Sequence, residues 1–290
     1  MRALLPMRLS CWFLLVFFLP ALTVTAARPF FGDFSDSSIF LEKRALLAQK
    51  TGISTALQTL ALAQSFLGAP YVTGTLDRGV TEQVVVNLHQ LDCWTLVENC
   101  LALAHTGPTG SFETFKSYLQ KMRYWGGTIN GYGSRIHYFT GWLLQAEKAG
   151  YVEDITRTLG GIPYQKAVHY ISSRPEKYPK IKNPEILREI KAAEARIHRH
   201  SWYFIPKSRI AAKEHLLQEG DLIIITSSKH DLDVSHQGFA VRRNGRIHLL
   251  HASSLARKTI VSAQPLPQYL AKQRGMSGIM VARMKPSHSE

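Results

Sequence analysis

The apolar positions of the chain follow two different rhythms. Between about residues 41 and 200 they recur every three or four residues, the spacing of one helix face. After residue 220 they come as short runs rich in β-branched side chains, separated by turn residues, which is the pattern of strands. In the first half this spacing predicts helices over 41–50 and 54–67, the second ended by Gly68 and Pro70. Tyr71 to Leu76 reads as extended and Thr81 to Leu88 as a short helix. Apolar residues at 93, 96, 97, 100, 103 and 104 then predict a helix opened by Asp92 as its N-cap. Further helices follow over 111–122, 138–148 and from Asn183-Pro184-Glu185 to about His200. In the second half, strands are expected over 222–226, 235–241, 246–252, 258–262 and 278–284. Asn244-Gly245 forms a hairpin turn and a short helix covers 265–273. Helices first and antiparallel strands second make an α+β layout.

The amino terminus lies outside this pattern. Arg2 and Arg8 precede an almost wholly apolar run, Leu9 to Leu22, and Val24-Thr25-Ala26 is a small-residue cleavage signal. This reads as a signal peptide over residues 1–26, leaving a single domain over 27–290 and a periplasmic or secreted protein. The run is short for a bilayer span, and no later stretch is apolar for long enough, so no integral membrane segment is expected after cleavage. Cleavage would remove Cys11 and leave Cys93 and Cys100. Two turns apart on a helix, these lie roughly 10 Å apart along the axis, beyond the ~7 Å that a disulfide spans. The formal net charge of +14 suits a polyanionic partner such as cell wall, membrane surface or nucleic acid. The basic residues are scattered, and export argues against nucleic acid.

Two unpaired cysteines in an oxidising compartment have either of two explanations: burial, or use as a nucleophile. Cys93 opens a helix, where free N–H groups and the positive end of the dipole favour a thiolate. The hairpin carries His236 and His251 on either side of Asn244-Gly245 at similar distances from the turn, so the two imidazoles can meet at one end of a sheet. Cys93 as nucleophile, His236 as base and His251 as orienter fill the roles that nucleophilic catalysis requires. The same three side chains could bind zinc, but neither CxxC nor HxxxH spacing is present, so no metal and no cofactor is expected. Between residues 123 and 137, aromatic residues, glycines and hydrogen-bonding groups mix as they do in ligand-contacting loops or in glycine-rich connectors.

Taken in order, the motifs carry a resemblance. Leu67-Gly68-Ala69-Pro70-Tyr71, Asp92-Cys93, Gly220-Asp221, His236-Gln237-Gly238-Phe239 and His251-Ala252-Ser253 resemble the NlpC-type superfamily of papain-like cell-wall hydrolases. One branch, formerly a family of unknown function whose members are N-acetylmuramoyl-L-alanine amidases, is similar over nearly the whole mature chain. The similarity there includes Val97-Glu98, Arg123-Tyr124, Gly131-Tyr132 with Ser134-Arg135 and His137-Tyr138, and Asp233-Val234-Ser235-His236. The resemblance implies a papain-like NlpC-type fold with its nucleophile at a helix N-terminus packed on an antiparallel sheet, and a large helical insertion over about 105–219. It implies Cys93 as nucleophile, His236 as base and then acid, His251 as orienter, and Tyr71 lining the site beside the oxyanion. Tyr132, Ser134, Arg135 and His137 are the expected substrate contacts, Arg135 because stem peptides carry carboxylates. The implied activity is a cysteine amidase cutting the N-acetylmuramoyl-L-alanine bond of peptidoglycan or muropeptides. The alternatives are a D-γ-glutamyl endopeptidase within the stem and a non-catalytic wall-binding protein. Gln237, Thr73 and Trp94 depart from the residues usual in the wider superfamily.

Overall fold

The β-branched run that starts at Leu222 becomes the middle of the structure because both of its faces are apolar. Leu222 and Ile224 point into one core and Ile223 and Ile225 into another, all fully buried. A strand with this property has to lie inside a sheet covered on both sides. The computed structural model describes residues 35–77, 79 and 81–286; the signal-peptide reading of residues 1–26 lies outside the described residues. Five helices come first: α1 (Ser35–Ala48), α2 (Thr55–Ser65), α3 (Cys93–Thr106), α4 (Phe112–Arg123) and α5 (Phe139–Lys148). A mixed stretch follows, with β1 (Val152–Asp154), β2 (Ile162–Pro163), α6 (Pro184–His198), β3 (Tyr203–Pro206) and α7 (Lys207–Lys213). The chain closes with β4 (Leu222–Ser227), β5 (Val234–Arg243), β6 (Arg246–Ser253), β7 (Lys258–Val261), α8 (Leu266–Ala271) and β8 (Met276–Met284). The fold is thus α+β.

The eight-stranded sheet runs β2-β3-β8-β4-β5-β6-β7, with β1 also beside β8, and all its pairings are antiparallel. One face carries the larger core, built with side chains of α1 to α6; the other is covered by Ile210 of α7 and Leu266 and Leu270 of α8. Helix α3 is the axis of the larger core: Leu96, Val97, Cys100, Leu101, Ala102 and Leu103 are all fully buried. Two polar residues of the helix, Glu98 and Asn99, are buried in this core as well. The Asn99 amide donates to the Asn87 carbonyl, and Glu98 accepts from Arg123.

Three expectations change. Thr81 to Leu88 is not helical. Its backbone groups are claimed from outside: Arg123 donates to the Val85 carbonyl, Asn99 to that of Asn87, and the Leu88 N–H donates to Asp36 of α1. With those groups engaged, consecutive Val84, Val85 and Val86 are buried in an irregular strap against α3 and α4 instead of forming one helix face. The stretch over about 105–219 is not purely helical, since β1 and β3 add to β8 and extend the sheet. Strands of two to four residues are too short to show a periodicity. Helix α1 begins at Ser35, earlier than its apolar spacing suggests. Among the described residues, no helix is long and apolar enough to cross a membrane.

The Gly220-Asp221 pair anchors the sheet. Gly220 has φ +84°, and a Cβ there would lie 2.5 Å from the Ala56 carbonyl oxygen at the start of α2. Asp221 takes a two-pronged bond from Arg283 of β8, at 2.8 and 2.9 Å, and also accepts from the Gln218 N–H. Together they fix where β4 starts against α2 and β8.

Candidate active site

Cys93 is set by the cap in front of it. The Asp92 carboxylate accepts from the Thr95 N–H at 2.8 Å, and the Thr95 hydroxyl accepts from the Asp92 N–H at 2.9 Å, a reciprocal capping box. Leu91, just before it, is bridged to Tyr71, whose own N–H donates to the Arg257 carbonyl at the end of the β6–β7 turn. The helix start, the Pro70-Tyr71 stretch and the hairpin are therefore stitched together by backbone bonds.

The two histidines come from β5 and β6. Those strands pair from Arg243 opposite Arg246 up to Phe239 opposite Leu250, and beyond that β6 pairs with β7. At the resulting fork the Gln237 N–H acts on the Cys93 sulfur, so the thiol meets β5 one residue after His236. His236 Nε2 lies 2.5 Å from His251 Nδ1, with the rings at 87°. The two are diagonal neighbours and not directly opposed, as the distances from the turn had suggested. The position facing His251 is Gly238, where a Cβ would sit 2.4 Å from the Leu250 carbonyl oxygen and 2.9 Å from the His251 Cβ. A glycine is needed there for the imidazoles to meet. Asp233 sets the start of β5: its carboxylate accepts from the Thr140 N–H and hydroxyl at the first turn of α5.

Burial dominates the electrostatics. It pushes the Cys93 thiol up to about 12, assisted by the negative charge of Asp92, and the N–H groups of Gln237, Cys93 and Trp94 only partly oppose this. Burial also pulls His236 down to about 3, helped by His251, and His251 down to about 4. The resting site is thus a neutral thiol beside neutral imidazoles. The helix terminus acts in the expected direction but is outweighed by desolvation. In this state the imidazoles are bonded to each other and not to the sulfur. In one of the two tautomers open to the pair, the Nε2–H of His236 donates to Nδ1 of His251, and His251 carries its own proton on Nε2, which is buried without a hydrogen-bond partner. That tautomer leaves His236 Nδ1 free to accept a proton.

Two phenols flank the thiol. Tyr71 is pushed up to about 12, first by burial and then by the charges of Cys93 and Asp92. Tyr269 of α8 is raised by burial and by Cys93, and its ring stands 5.5 Å from that of His251. Tyr269 was not singled out in the sequence. Its only signal there is an aromatic in a short helix, and the packing of α8 on the histidine face brings it to the site. The same is true of the Gln237 N–H, because a backbone donor leaves no mark on residue type.

Two clefts lie near the site, one against the histidines and one against Asp92 and Trp94, the neighbours of Cys93. One, of about 450 Å³, is lined by His236, His251, Ser253, Leu255, Tyr269 and Met276 among others. The other, of about 180 Å³, is lined by Asp92, Trp94, Asp77, Arg135, His137 and Leu76 among others. Of the loop residues expected to contact substrate, Arg135 and His137 therefore line the smaller cleft. Arg135 is already engaged: it pairs with Asp77 and Glu82 and donates to the Leu76 carbonyl. His137 Nε2 bonds to the Tyr132 carbonyl at 2.9 Å, and burial pulls it down to about 4. The Ser134 hydroxyl donates to the Gly131 carbonyl and accepts from the Asn130 N–H. Tyr132 lies under Arg135 and against His137. The first ties of these four are to their own loop and its neighbours. Among the described residues no group of three or more His, Cys, Asp or Glu side chains could hold a metal ion.

Residues 61–277 match the family described as AmiA-like, N-acetylmuramoyl-L-alanine amidase-like. No curated protein matches the chain. A solved N-acetylmuramoyl-L-alanine amidase from Bacteroides uniformis is similar at 34% identity and TM-score 0.76, over 80% of this chain and 99% of that one. A Bacteroides fragilis protein named as a xylanase is similar at 34% identity and TM-score 0.74, over 78% of this chain and 100% of the other. A Legionella pneumophila protein of the DUF1460 family shares the fold at 20% identity and TM-score 0.66, over 87% and 96% of the two chains. The chain belongs to the AmiA-like family of N-acetylmuramoyl-L-alanine amidase-like proteins, hydrolases of the cell-wall amidase kind.

Proposed function

We propose that this protein is a cysteine amidase of NlpC-type, papain-like architecture. On this reading it cuts the bond between N-acetylmuramic acid and L-alanine in peptidoglycan fragments, and acts after export to the periplasm or beyond. The observation that carries the reading is the His236–His251 pair, 2.5 Å apart, with the N–H of the next residue, Gln237, reaching the sulfur of Cys93 at the capped start of α3.

In the reaction, the carbonyl of the lactyl group enters the fork. Cys93 passes its proton to His236 Nδ1 as the sulfur bonds to the carbonyl carbon, and the imidazolium is held by His251 Nδ1 on its other nitrogen. The Cys93 N–H, free at the helix start, and the Tyr71 hydroxyl supply donors for the oxyanion. Tyr71 keeps its proton for that task because burial and nearby negative charge hold its pKa near 12. Collapse breaks the C–N bond as His236 returns the proton to the alanine nitrogen, and the peptide leaves. Water then attacks the thioester, giving its proton to His236, and the thiol is released with the sugar acid. Neutral resting partners suit this order, since charge appears only when substrate has excluded water.

The xylanase name of one relative would call for two carboxylates placed for glycoside chemistry. The carboxylates of the smaller cleft, Asp77 and Asp92, are occupied by Arg135 and Thr95, which favours the thiol reading. Mass spectrometry of products from a purified disaccharide-tripeptide tests it. Free disaccharide plus intact tripeptide is expected, whereas a disaccharide-dipeptide would replace the amidase with an endopeptidase. Loss of both products in Cys93→Ala is expected, and unchanged breakdown would remove the thiol from the mechanism.

A further inference from the structure

A cationic strip runs along the stretch 166–182 and the β4–β5 turn. The Tyr170 ring is faced by Arg174 at 3.9 Å, Lys229 at 5.1 Å and Lys177 at 5.9 Å from its centroid. The Lys166 ammonium beside them donates to the carbonyls of Ser227 and Lys229. Farther along, Lys180 stands 4.7 Å over the Tyr132 ring, on which Arg135 also packs at 5.0 Å. The carboxylates that act on the five strip cations, Lys166, Arg174, Lys177, Lys180 and Lys229, fall on Lys166 and Arg174, and the buried Asp233 reaches Lys166. Asp231 is paired with Arg174 at 2.6 Å, and Glu176 lies within electrostatic reach of the same arginine. Lys177, Lys180 and Lys229 have no carboxylate within 4 Å among the described residues, and both Lys177 and Lys229 are exposed. Gathering like charges around one phenol costs energy unless an anion offsets it, and the ring faces recover only part of that cost.

The strip is placed beside the reaction centre by one short segment at the start of α5. The Tyr138 hydroxyl accepts from the Ile171 N–H at 2.7 Å, next to Tyr170. Phe139 packs on Trp94 at 5.1 Å, next to Cys93, and Thr140 holds Asp233, three residues before His236. Lys180 is near enough to His137, in the smaller cleft, for its charge to oppose protonation of that ring. Arg135, the cation expected to take stem carboxylates, is already neutralised by Asp77 and Glu82. The unpaired cations are the ones outside it.

We propose that Lys177, Lys180 and Lys229, with the Tyr170 and Tyr132 rings, form a binding site for the free carboxylates of the substrate's peptide stem. This site selects acidic stems over amidated ones. The inference rests on the amidase reading for its substrate class but is read by a separate measurement. Binding to full-length Cys93→Ala protein is measured by calorimetry with a disaccharide-tripeptide bearing free carboxyls and with the same fragment amidated. The expected result is five- to tenfold tighter binding of the free-carboxyl fragment. That advantage should vanish in Lys177→Gln/Lys229→Gln and persist in Lys177→Arg/Lys229→Arg. Equal affinity for the two fragments, or an advantage untouched by the Gln pair, overturns the proposal. So does polyphosphate that competes with the free-carboxyl fragment and binds more tightly, which would make the strip a site for phosphate polymers. Failure of the amidase reading would show instead as the wrong products from the wild-type protein, whatever these affinities are.

Discussion

The fork around Cys93 buries His236 and His251, the polar seam beneath the 124–137 loop buries Glu98, Arg123 and Arg135, and the two treat ionisable groups in opposite ways. In the seam, ionisable groups are matched with partners: burial pushes the Glu98 carboxyl up and the Arg123 guanidinium opposes this. Arg123 donates to Glu98 through Nε at 2.9 Å and Nη2 at 2.6 Å and to the Val85 carbonyl through Nη1, while the Trp94 indole donates to the other Glu98 oxygen. Arg135 likewise holds Asp77 and Glu82, and Tyr124 donates to Glu82. In the fork, among the described residues, no carboxylate bonds to the histidines, and burial favours the uncharged forms of Cys93, His236 and His251. A charge fully paired in the ground state gains little from a transition state, whereas a neutral pair can become charged where the reaction needs it. The seam is thus tied up in structure, and the fork suits the chemistry proposed for it.

The sharpest way to break this contrast is to remove one member from each region. His236→Ala should lower turnover of a muropeptide by on the order of a thousandfold or more and leave thermal unfolding nearly unchanged. A comparable loss of stability would make His236 structural. Arg123→Met should do the reverse, costing about 3–5 kcal/mol in denaturant unfolding because Glu98 would be left buried and unpaired. A cost below about 1 kcal/mol would mean that Glu98 takes up a proton at little expense. Gly238→Ala tests the fork geometry with one methyl. The added Cβ must move the Leu250 carbonyl or His251, and about 1–3 kcal/mol of stability should go together with a loss of kcat. An active, unstrained Ala variant would show that the strands can part further.

The smallest effect is the pH dependence of folding. His236 and His251 carry folded pKa values of about 3 and 4 against an ordinary value of 6.5, so the unfolded chain binds the extra protons. Their contribution to stability is complete above pH 6.5 and is lost as pH falls toward 3. Between pH 6 and pH 5 the loss should be about 1 kcal/mol per histidine, read from urea midpoints. His251→Asn should flatten the slope, and a wild-type curve flat from pH 7 to 4 would mean the imidazoles are not neutralised by burial.

Much of this arrangement is legible in residue order. Helix α3 announces itself through its apolar spacing and the Asp92 cap, and α6 through Asn183-Pro184, whose side chain caps the first turn. The β5–β6 hairpin follows from Asn244-Gly245, with φ +49° and +76°. Local signals of this kind survive because each element's own backbone bonds and one buried face are enough to decide it. The strap over 81–88 departs from the helix its spacing predicts for the opposite reason. Its valines match a helix template loosely, but its carbonyls and N–H groups bond to α1, α3 and α4, which lie at a distance in sequence.

The chain alone thus determined the α+β order, the helix that begins at Cys93, and the two histidines of one hairpin, because these depend on spacing and short-range capping. Tertiary structure decided the rest. It placed His251 against Gly238 so that the imidazoles meet on a diagonal, and brought Tyr269 and the Gln237 N–H to the site from elements with no motif of their own. It also engaged Arg135 with Asp77 and Glu82 and left Lys177, Lys180 and Lys229 without carboxylates. Above all it set the charge state of the thiol. A helix N-terminus favours an anion, but how deeply that end is buried, and which negative groups are buried with it, is fixed only when the layers close.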